Sequence, residues 1–299
     1  MIRLGVVDFD TSHVVAFSQR LNHKQVPEEQ WVNGAQIVCG CPGTSAITDQ
    51  AKIDGYTKQA ADLGLEILAK PEDLIGKVDG VLIESVDGSV HLERAKPFIK
   101  AGVPLFIDKP FTCSVKEAKT LAKLAAKKGV PIFSSSSLRY ALEVVDIKAK
   151  EAELGKVVGV DAYSPASLHP RNPGFFNYGI HGLETLYALM GPGCESVTCT
   201  STEGADVITG LWKDGRIGVV RGTRKGSHSY GFVAWCEKGV RQATINAGFI
   251  YRELLKQVVK FFETKTPPIA ISETIEIMAF IEAAMKSAAR GGRRTPVKF

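Results

Sequence analysis

No apolar run in this 299-residue chain approaches the roughly 18 residues that a membrane span needs, so a membrane protein is not expected. Metal-ligand spacing is also missing. The six cysteines (Cys39, Cys41, Cys113, Cys194, Cys199 and Cys236) are scattered, and no second ligand pair accompanies Cys39-Gly-Cys41. Free thiols and no metal site are therefore the expectation. Charge of one sign is scarce: the net charge is +5, with a share of it in the C-terminal cluster Arg290, Arg293, Arg294 and Lys298. That cluster suits a solvated tail, and no stripe of basic and aromatic residues supports binding to nucleic acid. Repeats and low-complexity tracts are absent. The start Met-Ile-Arg-Leu-Gly carries no signal-peptide pattern, so a cytoplasmic protein is expected. What is present is ordinary for a globular chain, 44% hydrophobic and 23% charged, at a length that suits two domains.

From residue 2 to residue 135 the sequence alternates short β-favouring apolar runs with loops and helical patterns. Ile2–Val7, Gln36–Gly40, Val78–Glu84, Leu105–Ile107 and Pro131–Phe133 read as strands, and Val14–Leu21, Val90–Ala101 and Ser114–Lys128 as helices. Such alternation predicts a parallel sheet with helices on both faces. After Gly155 the pattern changes. Val157–Tyr163, Ser196–Thr202, Asp206–Trp212, Arg216–Thr223, Ser229–Cys236 and Arg241–Ile245 read as strands separated by turns such as Lys213-Asp214-Gly215. With helices at Tyr178–Met190, Tyr251–Thr264 and Ser272–Ala289, this half reads as α+β with a mostly antiparallel sheet. The expected division is 1–135 and 136–299. A sheet face carrying Trp212, Val219 and Phe232 is expected to be open, which predicts a homo-oligomer packed sheet to sheet.

Three stretches carry the candidate chemistry. The first is Val103–Phe111, a buried strand that ends on Asp108-Lys109-Pro110, where open α/β sheets bind ligands. Pro110 biases Lys109 towards extended backbone and so fixes the direction of the amine. The second is the loop after the first strand. A dinucleotide fold places glycines there to let the backbone approach a diphosphate, at positions that count to 8, 10 and 13. This chain has Asp8, Asp10 and His13 instead, within Asp8-Phe9-Asp10-Thr11-Ser12-His13. Two carboxylates would repel a diphosphate; they equally suit capping of the turn and helix. The third is Phe176–Glu184, where His181 and Glu184 stand three apart on one helical face. The carboxylate could orient the imidazole there, and an imidazole suits removal of a hydroxyl proton. Arg139, Arg171 and the loop 164–173 add polar or cationic groups that could hold a hydroxylated or carboxylated ligand.

In this order the segments resemble the Gfo/Idh/MocA family, which includes glucose–fructose oxidoreductase and inositol dehydrogenase. Ile107-Asp108-Lys109-Pro110 resembles its Glu-Lys-Pro motif, Ser85 to His91 its Thr-Pro…His segment, and Leu154-Gly155-Lys156-Val157 the entry to its second domain. Gly179-Ile180-His181 with Glu184 resembles the helix that bears its catalytic histidine. The resemblance implies a Rossmann-like domain followed by an α+β domain, and an oxidoreductase that uses NAD or NADP on a sugar, polyol or related hydroxy compound. By it, Lys109 and His181 are the catalytic pair, Lys109 favouring a developing alkoxide and His181 acting as general acid/base. The dinucleotide would meet Phe9, Asp10, Thr11, Ser12, His13, Ser85, His91, Asp108 and Lys109. Arg139, Arg171, Asn177 and His181 would meet the substrate. Three positions depart from the family pattern: the glycine loop, Asp108 in place of Glu, and Asn177 in place of an aspartate four residues before the histidine. They leave a second reading open, a catalytically silent relative that binds a sugar-like ligand for regulation or assembly. A lyase or hydrolase that oxidises its substrate transiently is a third.

Overall fold

The computed structural model describes residues 1–226 and 228–299. The chain forms two compact units, each with its own sheet. Among the described residues no helix is long and apolar enough to cross a membrane.

The first unit comprises Met1–Thr112, Lys116–Ser135 and Tyr251–Ile271. Its strands are β1 (Ile2–Val7), β2 (Ala35–Cys41), β3 (Glu66–Ile67), β4 (Gly80–Ile83), β5 (Leu105–Ile107) and β6 (Ile132–Ser134). They pair in parallel in the order β3-β2-β1-β4-β5-β6. This is the order of a doubly wound nucleotide-binding sheet. Burial on both faces explains the short, unbroken apolar runs: every residue of β4, β5 and β6 is buried. Helices α1 (His13–Leu21), α2 (Gln50–Asp62), α3 (His91–Ala101) and α4 (Val115–Lys128) follow the strands. Helix α3 ends on Gly102 at φ 78°, the left-handed cap that glycine adopts without strain. The unit also takes in most of α8 (Ile250–Thr264), whose Phe261 packs against Phe133 at 5.7 Å between ring centroids. Phe262 fills the space that a side chain at Gly80 would need. The sequence reading places this helix with the second half; in the structure it completes the core of the first.

The second unit comprises Cys113–Val115, Ser136–Ile250 and Ser272–Phe299. Helices α5 (Leu142–Ala149) and α6 (Glu151–Leu154) lead into β7 (Val157–Pro165). There follow α7 (Ile180–Met190), β8 (Cys194–Ser201), β9 (Ala205–Trp212), β10 (Ile217–Thr223), β11 (Gly231–Cys236) and β12 (Gly239–Thr244). Helix α9 (Ile271–Ala288) and β13 (Thr295–Pro296) close the chain. The sheet order is β12-β11-β7-β10-β9-β8-β13, antiparallel throughout except for the parallel pair β7–β10.

Burial alternates along β9 and β10, and here the face assignment needs correction. Trp212 and Phe232 are buried, on the face that carries Ile208, Val220 and Ala234. Val219 belongs to the opposite face, beside its register partners Thr209 and Asp161. Parity decides this: even-numbered positions point inwards in β9, β10 and β11, and Trp212 and Phe232 are even. Val158 in β7, Ile217 in β10, Trp235 in β11 and Val240 in β12 are large apolar side chains left exposed in this sheet.

Close packing makes a specific demand at Gly40, where an added Cβ would meet the Phe9 ring at 2.6 Å and the Val6 carbonyl at 2.9 Å. Gly40→Ala should lower stability by about 1–3 kcal/mol, read as a fall in the urea midpoint at unchanged slope.

Candidate functional site

The parallel register of the first sheet lines up the strand ends. Val7 pairs with Ile83, and Ile83 with Ile107. The next residue of each strand is a carboxylic acid: Asp8, Glu84 and Asp108. The ladder carries one step further, since Glu84 N–H donates to the Val7 carbonyl at 3.0 Å and Asp108 N–H to that of Ile83 at 2.9 Å. All three side chains are buried.

Asp8 has φ 65°, the left-handed backbone that a glycine adopts freely at this turn. Its Oδ2 accepts from Ser85 Oγ at 2.5 Å and from Arg94 Nε at 2.8 Å. Asp10 accepts from Ser45 Oγ at 2.6 Å and from the Val86 amide at 3.1 Å. Burial raises the Asp10 carboxyl above the usual carboxylate range, against the pull of those donors.

Glu84 and Asp108 instead face His13, the first residue of α1. His13 Nδ1 lies 2.9 Å from Asp108 Oδ2 and 3.4 Å from Glu84 Oε2. Phe17 stacks on the imidazole at 4.9 Å and Tyr251 meets it edge-on at 5.0 Å. Burial would lower the imidazole pKa, but Asp108 and Glu84 outweigh it and push it up to about 9. Burial and the Asp108 charge raise Glu84 to about 7, against His13. Asp108 goes the other way: His13 and Lys109 overcome its burial and hold it below the usual carboxylate range. The Lys109 amine lies 3.8 Å from Asp108 Oδ2, and its side chain is 11% exposed. The three ligand atoms of His13, Glu84 and Asp108 lie within 4.8 Å of one another, an arrangement able to hold a metal ion.

The other positions read from the sequence in this unit have varied places. Phe9 is a core residue, Thr11 is half-buried and Ser12 is exposed. His91 is fully buried, with Nε2 2.9 Å from the Ser85 carbonyl and Nδ1 2.9 Å from that of Pro110. It ties the loop after β4 to the turn after β5.

An open groove of about 460 Å³ lies beside this edge, lined by Asp8, Cys41–Thr44, Ile67–Ala69, Pro71 and Arg94. These residues fit a dinucleotide. The turn keeps its left-handed backbone, each loop carboxylate is engaged by donors, and Arg94 supplies a cation to the groove.

In the second unit, Ser136 Oγ and His181 Nδ1 are 2.7 Å apart. The Ser136 hydroxyl also accepts from the Leu138 amide as the cap of a short helical turn. Tyr178 and Tyr230 meet the His181 ring edge-on, at 5.5 and 5.8 Å. Glu184, expected to orient the imidazole, bonds Arg139 Nε at 2.6 Å. Arg139 Nη1 also lies 2.7 Å from Glu273. Burial would lower the guanidinium pKa, and the two carboxylates overcome this and raise it. Arg139 is thus buried between two carboxylates. Asn177 donates to the Ser167 carbonyl and hydroxyl, at 2.9 and 3.1 Å, and Arg171 is exposed.

Four residues of these clusters escaped the sequence reading. Glu84 reads there as the end of an apolar strand, and Arg94 as one polar position of a helix. Ser136 was visible within the run Ser134–Ser137, but with no partner to point to. Glu273, far along the chain, had no signal.

The first sheet and its loops define a Rossmann-type dinucleotide fold. Residues 20–136 match the model of the Gfo/Idh/MocA family, described as an oxidoreductase family with an NAD-binding Rossmann fold. The uncharacterized oxidoreductase YhhX of Escherichia coli is 27% identical over 155 residues, 48% of this chain and 42% of that protein. The chain thus matches under half the length of that relative. Among solved structures, myo-inositol 2-dehydrogenase of Lactobacillus plantarum superposes with a TM-score of 0.81 at 15% identity, over 99% of both chains. Scyllo-inositol dehydrogenase of Lactobacillus casei, solved with NAD(H) and scyllo-inositol, gives 0.80 at 13% identity, again over 99% of both. At such identities the likeness is one of fold.

The sign of one pH dependence follows from His13. Its folded pKa, about 9, exceeds the ordinary value of 6.5, so its stabilisation is complete below pH 6.5 and fades as pH rises to 9. In chelator-treated protein the unfolding free energy should fall over that window by about 3 kcal/mol, and His13→Gln should flatten the fall. Urea titrations at a series of pH values measure both.

Proposed function

We propose that the protein is an NAD(P)-dependent oxidoreductase that acts on a CH–OH group of a sugar, polyol or related hydroxy compound. The observation that carries this reading is the Ser136–His181 pair, 2.7 Å apart. A hydroxyl can donate or accept. With Nδ1–H donating to Ser136, Nε2 carries no proton and can take one from a hydroxyl. With Ser136 donating to Nδ1, Nε2 carries the proton and can return it. Ser136 therefore supports His181 as base in oxidation and as acid in reduction, with no carboxylate at position 177. When bound, the dinucleotide would accept or supply the hydride. Lys109 would stabilise negative charge growing on the substrate oxygen. The loop Phe9–His13, Ser85 and Arg94 would hold the dinucleotide. The end of β2, Cys41-Pro42, offers no carboxylate for a ribose hydroxyl, and Arg94 lines the groove; both features support NADP over NAD. Arg139, occupied by Glu184 and Glu273, would hold α7 in place, and Arg171 and Asn177 would face the substrate.

Dinucleotide titration by calorimetry is the test. Saturable binding of NAD or NADP, weakened in Lys109→Ala, is expected; no binding of either at millimolar concentration rejects the reading. His181→Ala should lower kcat on an accepted polyol by about 100-fold or more, with the fold intact by circular dichroism.

Asp8 and Asp10, buried where glycines would admit a diphosphate, favour the second reading, a silent ligand-binding relative. Polyol turnover that disappears in His181→Ala eliminates it. We also propose a homo-oligomer through the second sheet, supported by exposed Ile217, Trp235 and Val240, which share one register row on its open face. Light scattering should give a multiple of the chain mass, and a monomer would refute it.

A further inference from the structure

Glu84 has no counterpart in the proposed hydride transfer. It is fully buried, and neither carboxylate oxygen has a hydrogen-bond partner. A carboxyl group in that state is costly unless a cation or a proton completes it. The obvious cation, a protonated His13, fills the role poorly. His13 Nδ1 is near both carboxylates, yet it too has no partner of hydrogen-bond geometry. Neither carboxylate oxygen therefore lies along its N–H direction.

These spacings have another meaning. Imidazole nitrogen and carboxylate oxygen bind a transition-metal ion at about 2.0–2.2 Å, so two such donors at about 90–110° are about 3.0–3.4 Å apart. The observed separations are 2.9 Å from His13 Nδ1 to Asp108 and 3.4 Å to Glu84. Donors sharing an ion sit off one another's bonding axes, because each axis points at the ion. The unaligned contacts of His13 have this character.

We propose that His13, Glu84 and Asp108 form a binding site for a divalent transition-metal ion, held by one imidazole and two carboxylates. The donor set has no thiolate, which suits Mn²⁺, Fe²⁺, Co²⁺ or Zn²⁺. Three protein ligands leave at least one coordination position for water or a ligand oxygen. Asp108 also faces the Lys109 amine at 3.8 Å. The ion replaces any proton on His13 Nδ1 and gives Glu84 the aligned partner that His13, at 3.4 Å, does not. His13 also belongs to the loop proposed to hold the dinucleotide, so the ion is tested with no nucleotide present, which keeps the two readings separable.

The test uses the full chain after chelator dialysis, with no nucleotide present. Mn²⁺ is added alone and free Mn²⁺ is followed by electron paramagnetic resonance; Co²⁺ is added in parallel and its visible absorption recorded. The expected result is one ion per chain and a Co²⁺ spectrum of low-symmetry nitrogen and oxygen ligation. Glu84→Gln, close in shape, should weaken binding by about tenfold or more and remove Co²⁺ absorption in proportion. His13→Gln should do the same. If either variant fails to fold by circular dichroism, Asp108→Asn replaces it. In wild type, Mn²⁺ should also raise the melting temperature reversibly, with chelator restoring the lower value. Absence of stoichiometric binding by wild type at millimolar Mn²⁺ and Co²⁺ overturns the proposal, as does equal affinity in folded Glu84→Gln. Dinucleotide binding is measured separately, so either reading can fail while the other stands.

Discussion

Three acidic side chains at the ends of three neighbouring parallel strands set the terms for the first unit. Register leaves no choice in the matter: Val7, Ile83 and Ile107 are paired, so Asp8, Glu84 and Asp108 follow in a row. Buried together at the spacing of adjacent strands, they repel, and the structure separates them by conformation and by partner. Asp8 leaves the row through its left-handed backbone and is matched by Arg94 from α3. Asp108 draws His13 from the start of α1 and the amine of Lys109. Glu84, between them, is the least compensated. The loops that enclose this edge are thus arranged by charge at least as much as by turn chemistry.

In the second unit a different balance holds. Helix α7 is buried along its whole length, so its polar side chains must be answered from within the unit. Arg139 answers Glu184 and Glu273, while Ser136 answers His181. The Ser136 hydroxyl, able to donate or accept, can pair with either tautomer of the neutral ring. Asn177 uses its amide donors on the carbonyl and hydroxyl of Ser167, which a carboxylate in its place could not do.

Much of the fold was legible in the sequence because burial on two faces forces unbroken apolar strands and burial on one face forces alternation. Both patterns survive in the residues themselves, from Val81–Ile83 to Asp206–Trp212. Which face of the second sheet is covered was not legible: a large aromatic such as Trp212 suits either side, and only the parity of its neighbours in β9 assigns it. The site was legible where a motif marks it, as at Asp108-Lys109-Pro110 and His181. It was hidden where residues distant in sequence converge. Glu84 and Asp108 come from two strand ends and His13 from the start of α1, and Arg139 reaches Glu273 across more than a hundred residues. Spacing rules for metal ligands look along the chain, so a cluster gathered by register escapes them.

The route of the chain through its first unit bears on how the protein is made. Tyr251–Ile271 supplies Phe261, Phe262 and Tyr251 to that unit, long after its last strand has been synthesised. On the ribosome the parallel sheet must therefore wait, with Phe133 and the Gly80 surface uncovered, until α8 emerges. Nascent chains stalled before that helix would expose apolar surface and be natural clients for chaperones, whereas those stalled after it could close the core.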